Sequence, residues 1–447
     1  MLTIAMGYRL VRGVIRVLLR LFYRRVDVVG ADRIPARGPL IIAANHHNSL
    51  VDPMLIIGTF PRPITVLANA PLFRHPLIGP FLRAVGALPV NRRREAGDDP
   101  TKNEAMFAAA TAHLRAGGAI LIFPEGRTQP APTLLPLRTG TARLLLGAAA
   151  DGARHGLTLL PVGLVFETPG TFRVAAALVA VGSAVPVDDA VAAYATEPEA
   201  TVRRLTERLA AAIRAQIVEA EDQHTLELAA ALERAWREEQ GAARSDAEAS
   251  LAWRREVMRA ARRLGERAPE RVAEFRRRLE VYRARLQESG LSDAELGRPY
   301  TAAIVLRWTL VNATKLALTL PLALWGMATH ALPYGLTRLA VAAMRRTEEE
   351  EATDKMAAGL VLYPLSWAAE AWALERVAGG VWLAAFVLLL VPSGLIALAW
   401  RERLARVVRQ ARAFARFVVD RRLHADLLAE RRALVGEAMT LAELART

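Results

Sequence analysis

The stretch P-L-I-I-A-A-N-H-H-N-S-L-V-D-P, Pro39–Pro53, decides how this chain reads. Its first six residues form an apolar run of strand length, and its next eight turn polar. The apolar segment Pro53–Thr59 that follows reads as a helix, so the polar run is a loop from strand to helix. Two adjacent histidines in that loop precede one carboxylate, Asp52. His47 leaves four residues before it and His46 leaves five.

The same alternation extends outward. Strand-like runs occur at Pro39–Ala44, Ile64–Ala68, Ala87–Val90, Ala119–Phe123, Leu157–Phe166 and Val174–Val181. Lys102–Arg115 and Thr141–Ala150 between them read as helices. Strands interleaved with helices predict an α/β fold with a mixed, mostly parallel sheet flanked by helices, here over residues 30–198.

Residues 1–29 carry Arg9, Arg12, Arg16 and Arg20 at helical spacing, which breaks any signal-peptide core. Leu10, Val14, Val17, Leu18 and Leu21 lie elsewhere around that helix. An amphipathic helix lying on an anionic membrane surface fits this pattern. A helix packed on the following domain fits it too.

Residues 199–300 are dense in Ala, Leu, Glu and Arg and read as a charged helical region with a solvated face. The character changes again over 301–410. Leu316–Thr337 and Val377–Trp400 are charge-free runs long enough to span a bilayer, and Met356–Ala369 is a shorter one. Arginine clusters at Arg338, Arg345 and Arg346 and at Arg401, Arg403, Arg406 and Arg409 mark cytoplasmic flanks. Equal flanks require an even number of crossings or re-entry, so 302–337 and 356–400 are read as two helical hairpins, spanning fully or in part. Residues 411–447 then form a C-terminal cytoplasmic helix, and the first 300 residues stay on the cytoplasmic side.

The absence of cysteine among 447 residues excludes thiolate nucleophiles and disulfides. A net charge of +14 fits an anionic partner, but with 59 Lys+Arg and only three lysines the excess is nearly all arginine. A biased amino-acid usage accounts for that equally well. No basic motif interleaved with aromatics supports nucleic-acid binding.

Chemistry concentrates in four places. In the His-His-Asn-Ser-Leu-Val-Asp loop, a histidine can act as general base toward a hydroxyl, with Asp52 fixing its tautomer. In F-P-E-G-R-T, Phe123–Thr128, Gly126 lets backbone approach a ligand, Glu125 can accept hydroxyl hydrogen bonds, and Arg127 can take a phosphate. Leu67–Arg92 contains Arg74, Gly79, Gly86 and the terminal Arg92, and Leu159–Gly163 is a strand interrupted by Pro161.

In this order and spacing, the four segments resemble the glycerolipid acyltransferase superfamily over residues 30–187. The resemblance implies a histidine general base, an orienting Asp52, and an acceptor site at Glu125 and Gly126 with basic residues. It gives Arg92 a place there, with Arg127 joining it. Where relatives carry a basic residue near the start of the second motif, this chain has Asn69 and Ala70, which shifts phosphate binding toward Arg74, Arg92 and Arg127. The implied donor is an acyl thioester, acyl-CoA or acyl carrier protein, with no metal and no cofactor beyond this co-substrate.

L-L-P-L-R-T-G-T-A at Leu134–Ala142, P-V-G-L-V-F at Pro161–Phe166 and the segment Arg277–Leu296 are similar to the glycerol-3-phosphate/dihydroxyacetone-phosphate acyltransferase branch and its bacterial relatives. That branch points to glycerol 3-phosphate as acceptor, acylated in phospholipid synthesis at the inner (cytoplasmic) membrane. It also selects the five-residue register, hence His46 as base, whereas the commoner register selects His47. The competing readings are a lysophosphatidic acid or other lysophospholipid acyltransferase, and a non-catalytic membrane adaptor with an acyltransferase-like core.

Overall fold

The computed structural model describes residues 2–74, 78–91, 104–129, 131–153, 156–166, 176–240, 247–296, 302–344, 348–419 and 421–445. They divide into two compact units. One comprises Met1–Glu227 with Asp246–Arg255 and Arg346–Thr353; the other takes Leu228–Ser245, Glu256–Arg345 and Asp354–Thr447.

The first unit is a seven-stranded sheet flanked by helices. Its strands are β1 (Arg25–Val29), β2 (Leu40–Ala44), β3 (Thr65–Asn69), β4 (Leu88–Val90), β5 (Ala119–Ile122), β6 (Thr158–Phe166) and β7 (Ala176–Val181). The order across the sheet is β1-β7-β6-β2-β5-β3-β4. Every neighbouring pair is parallel except β6 with β7. This is the mixed, mostly parallel sheet that the strand–helix alternation predicts. β2 and β5 are buried along their whole length, as expected of central parallel strands covered on both faces. Pro161 causes no break in β6, because the ladder to β7 begins at Val162 and the Pro161 carbonyl accepts Gly182 N–H at 2.9 Å.

Helices α1 (Leu2–Phe22), α2 (Val51–Thr59), α3 (Ile78–Ala84), α4 (Glu104–Arg115), α5 (Gly140–Ala150), α6 (Asp188–Ala193) and α7 (Pro198–Arg214) cover this sheet. Two boundaries need correction. β1 joins the sheet ahead of residue 30, and α7 belongs to the α/β unit, not to the charged region. Val202, Leu205, Leu209 and Ile213 of α7 are buried, and the helix packs on β6 and α5.

α1 packs on the domain, as the second of its two sequence readings has it. Tyr8, Ile15, Leu19 and Phe22 are buried against the domain. Arg16 donates to the Gly58 carbonyl at 2.9 Å and Arg12 to that of Phe60. These guanidinium groups sit at the C-terminal end of α2, where helix carbonyls lack partners and the dipole favours cations. Met6, Leu10, Val14 and Val17 remain exposed as an apolar stripe.

The second unit is helical. α8 (Gln223–Glu239) and α9 (Ala247–Arg267) enter it, followed by α10 (Pro269–Ser289), α11 (Asp293–Leu296), α12 (Ala302–Met344), α13 (Glu348–Ala378), α14 (Gly380–Val419) and α15 (Arg421–Leu444). The hairpin expected within 302–337 is corrected: α12 runs unbroken through Pro321 and Pro333. The break falls at Gly379, whose φ of +82° ends α13 and lets α14 begin. α12 and α14 pack together, and a Cβ on Gly326 would stand 2.2 Å from the Ser393 carbonyl oxygen, so small residues set the close approach. Two stretches, Val305–Ala343 and Gly380–Arg416, are long and apolar enough to cross a membrane. The solvated-face reading of the charged region needs amendment at α10. Arg278 pairs with Glu437 of α15 at 2.5 Å, and Arg285 with Glu430.

Candidate active site

The site follows from strand direction. β2, β3, β4 and β5 are parallel, so the loops leaving their carboxyl ends share one edge of the sheet, where open α/β sheets hold their ligands. The His-His loop leaves β2, the turn ending at Arg74 leaves β3, and the Phe-Pro-Glu-Gly loop leaves β5.

The β2 loop is anchored at its start by Asn45. Its amide donates to the Leu164 carbonyl at 2.9 Å and accepts from Leu164 N–H at 2.7 Å, bracing the end of β2 against β6. The loop then turns sharply. Ser49, at φ +36°, is the one non-glycine residue with positive φ among the described residues. Such backbone strain persists only where the surroundings hold it. Here they do: Val51 N–H donates to the Asn48 carbonyl at 2.8 Å and opens α2.

The turn delivers Asp52 in the first turn of α2, fully buried. One oxygen, Oδ2, accepts three hydrogen bonds: from His46 Nδ1 at 2.8 Å, His47 N–H at 2.7 Å and Asn48 N–H at 2.8 Å. A helix N-terminus and three donors offset the loss of hydration that burying a carboxylate entails.

The two histidines therefore part company. The His46 ring lies on Asp52 and stacks on Phe123, with centroids 4.1 Å apart and planes 16° from parallel. With Nδ1–H donated to the carboxylate, the lone pair is on Nε2. The His47 ring turns away, its Nδ1 donating to the Gln129 carbonyl at 3.0 Å. The geometry brings together His46 and Asp52, not His47 and Asp52 side chain to side chain.

Glu125 braces this loop to the β5 loop. It is 3% exposed; Oε1 accepts His46 N–H at 2.8 Å and Oε2 accepts Leu135 N–H at 3.0 Å. Burial pushes its carboxyl above the usual glutamate range, opposed by those two backbone donors and by the nearby histidines. Gly126, at φ +72°, makes the turn, and the Arg138 side chain lies where a Cβ would sit, 2.7 Å from Nε. Arg127 and Arg74 are exposed and make no hydrogen bond or ion pair among the described residues. Arg92 lies outside the described residues. Sequence alone does not single out Asn45, Phe123, Gln129 and Arg138, though Asn45 and Phe123 are the first letters of the two motifs.

Residues 25–165, within the α/β unit, match the model of the Acyltransferase family. Among curated relatives, 1-acyl-sn-glycerol-3-phosphate acyltransferase of Borreliella burgdorferi is 29% identical over 159 residues, 36% of this chain and 58% of that protein. Glycerol-3-phosphate O-acyltransferase 2 of Saccharomyces cerevisiae is 30% identical over 125 residues, 28% of this chain and 17% of that protein. The chain thus spans less than two thirds of either relative. The crystal structure of the 1-acyl-sn-glycerophosphate acyltransferase PlsC from Thermotoga maritima superposes with a TM-score of 0.34 at 20% identity, over 47% of this chain and 80% of that one.

Proposed function

We propose that this chain is a membrane-bound O-acyltransferase that moves a fatty acyl group from an acyl thioester, acyl-CoA or acyl carrier protein, to a hydroxyl of glycerol 3-phosphate. The observation that carries the reading is the buried His46–Asp52 pair, 2.8 Å apart at the carboxyl edge of an acyltransferase-family domain. His46 Nε2 takes the proton of the acceptor hydroxyl as its oxygen attacks the thioester carbonyl. Asp52 holds the tautomer and stabilises the imidazolium that forms. Collapse of the tetrahedral intermediate breaks the C–S bond, and the imidazolium returns the proton to the leaving thiolate. His47, Gln129 and Glu125 act on this step by fixing the loop.

Arg127, Arg74 and Arg92 bind the acceptor phosphate through charge-assisted contacts in this reading. Glu125, with both oxygens held by backbone N–H groups, serves as a brace and Gly126 as the turn beside it. The apolar stripe of α1 and the apolar helices α12 and α14 anchor the protein in the inner (cytoplasmic) membrane. The catalytic domain faces the cytoplasm, where the thioester donors are.

The test is product identification by mass spectrometry from purified protein given acyl-CoA or acyl carrier protein donor with glycerol 3-phosphate or 1-acyl-glycerol 3-phosphate. Lysophosphatidic acid from the first acceptor is expected. A lysolipid preference would replace the acceptor assignment with the alternative carried by the Borreliella relative, and no product from any pair would overturn acyl transfer.

A further inference from the structure

Oδ1, the second oxygen of Asp52, is buried and makes no hydrogen bond among the described residues. The amide atoms Oδ1 and Nδ2 of the neighbouring Asn48 are likewise buried without partners. So is the hydroxyl of Tyr23, a residue 1% exposed, whose ring lies 5.1 Å from that of Phe22 and 6.2 Å from that of Phe166. Tyr23 follows directly on α1, which packs against α2, the helix whose first turn holds Asp52. Burial raises the Tyr23 hydroxyl, and the negative charge of Asp52 raises it further, so the phenol stays protonated within the field of that carboxylate.

Unpaired buried polar atoms are costly, and a buried water is held where two to four such atoms converge. Asp52 Oδ1, both Asn48 amide atoms and the Tyr23 hydroxyl form a matching set, two of them acceptors and two able to donate. We propose that Tyr23 is a positioning residue for the reaction. Through one buried water shared with Asn48, its hydroxyl supplies a hydrogen bond to Oδ1 of Asp52 and so sets how strongly Asp52 holds His46. This rests on the reading of His46 as the base.

The consequence has a sign. A donor on Oδ1 spreads the negative charge of Asp52. Removing that donor concentrates charge on the oxygen facing His46, which favours the imidazolium and makes the ring harder to deprotonate.

Tyr23→Phe in the full-length protein in lipid nanodiscs tests this with two readouts. Diethyl pyrocarbonate modification of His46, followed by peptide mass spectrometry across pH, reports the imidazole pKa without requiring turnover. A rise of about half a pH unit is expected, with the acid limb of kcat/KM moving by the same amount. In the same variant kcat falls about tenfold while KM for both substrates stays within about twofold. A His46 titration that superimposes on that of the wild type overturns the proposal, even if Tm falls, because a purely structural tyrosine would shift stability alone. A wild type that transfers no acyl group overturns the proposed function, and the modification titration still decides the coupling.

Discussion

The β2 loop and the α12–α14 pair both hold polar side chains among apolar ones, and they treat them in opposite ways. In the loop, one ring nitrogen and two backbone N–H groups converge on a single oxygen of Asp52 from three successive residues. Along α12, Thr314, Thr319, Thr329 and Thr337 each donate to the carbonyl four residues back, and His330 Nδ1 donates to that of Gly326. Convergence builds an oriented base with a nitrogen left over. Local bonding leaves a helix whose polar groups are quiet and whose outer face is apolar. In the proposed function, chemistry belongs to the first arrangement and anchoring to the second.

The strongest way to break this contrast is to separate the two histidines. His46→Ala should lower kcat by about 10³-fold and Asp52→Asn by at least 10²-fold, since base and orienting carboxylate act as one unit. His47→Ala should stay within about threefold, because its backbone N–H, not its ring, serves Asp52. Steady-state assays with His46→Ala active and His47→Ala dead would reverse the assignment.

Next in size is the brace. Glu125→Gln replaces an acceptor oxygen by an NH₂ facing a backbone N–H, at His46 or at Leu135, and should lower kcat about 10–100-fold without abolishing it. The same variant carries a pH signature. Burial raises the folded pKa of Glu125 above its unfolded value, so its contribution to stability is full below the ordinary glutamate pKa. That contribution is lost as pH rises through the raised value. Denaturant unfolding over this window should show a decline in wild type that Glu125→Gln lacks. Parallel stability curves would remove the burial argument.

How far these features could be read in advance depends on what carries the signal. β2, β3, β4, β5, β6 and β7 are legible because each is an apolar run, and the loops at their carboxyl ends hold the motif residues. β1 (Arg-Val-Asp-Val-Val) escaped because charges interrupt it, and only its pairing with β7 makes it a strand. α7 shares the Ala-Leu-Glu-Arg composition of the helices after it, so its membership is decided by packing on β6, which composition does not encode. Arg12 and Arg16 read as part of a membrane-facing stripe, yet the carbonyls they cap lie more than 40 residues away in sequence. The backbone donors to Asp52 and Glu125 have no side-chain signature at all, and neither does the positive φ of Ser49.

A smaller effect sharpens the other side of the comparison. Gly326→Leu would push a side chain into the Ser393 backbone, so the α12–α14 pair must separate. A loss of about 1–3 kcal/mol in stability is expected for such overpacking. Turnover of the folded fraction should be retained, since the His46–Asp52 geometry is built within the α/β unit. Thermal unfolding in detergent, with specific activity corrected for folded protein, separates the two quantities.

The smallest effect is the most telling about quiet polar groups. Thr329→Val keeps the shape of the side chain and deletes only a hydroxyl that bonds the Trp325 carbonyl of its own helix at 3.0 Å. Such back-bonding competes with the helix as much as it supports it, and a valine makes no unpaired donor. A stability change within about 0.5 kcal/mol and unchanged turnover are expected. Loss of activity in Thr329→Val at wild-type stability would mean that this helix takes part in turnover. The division between convergent and local polar groups would then fail where it is easiest to check.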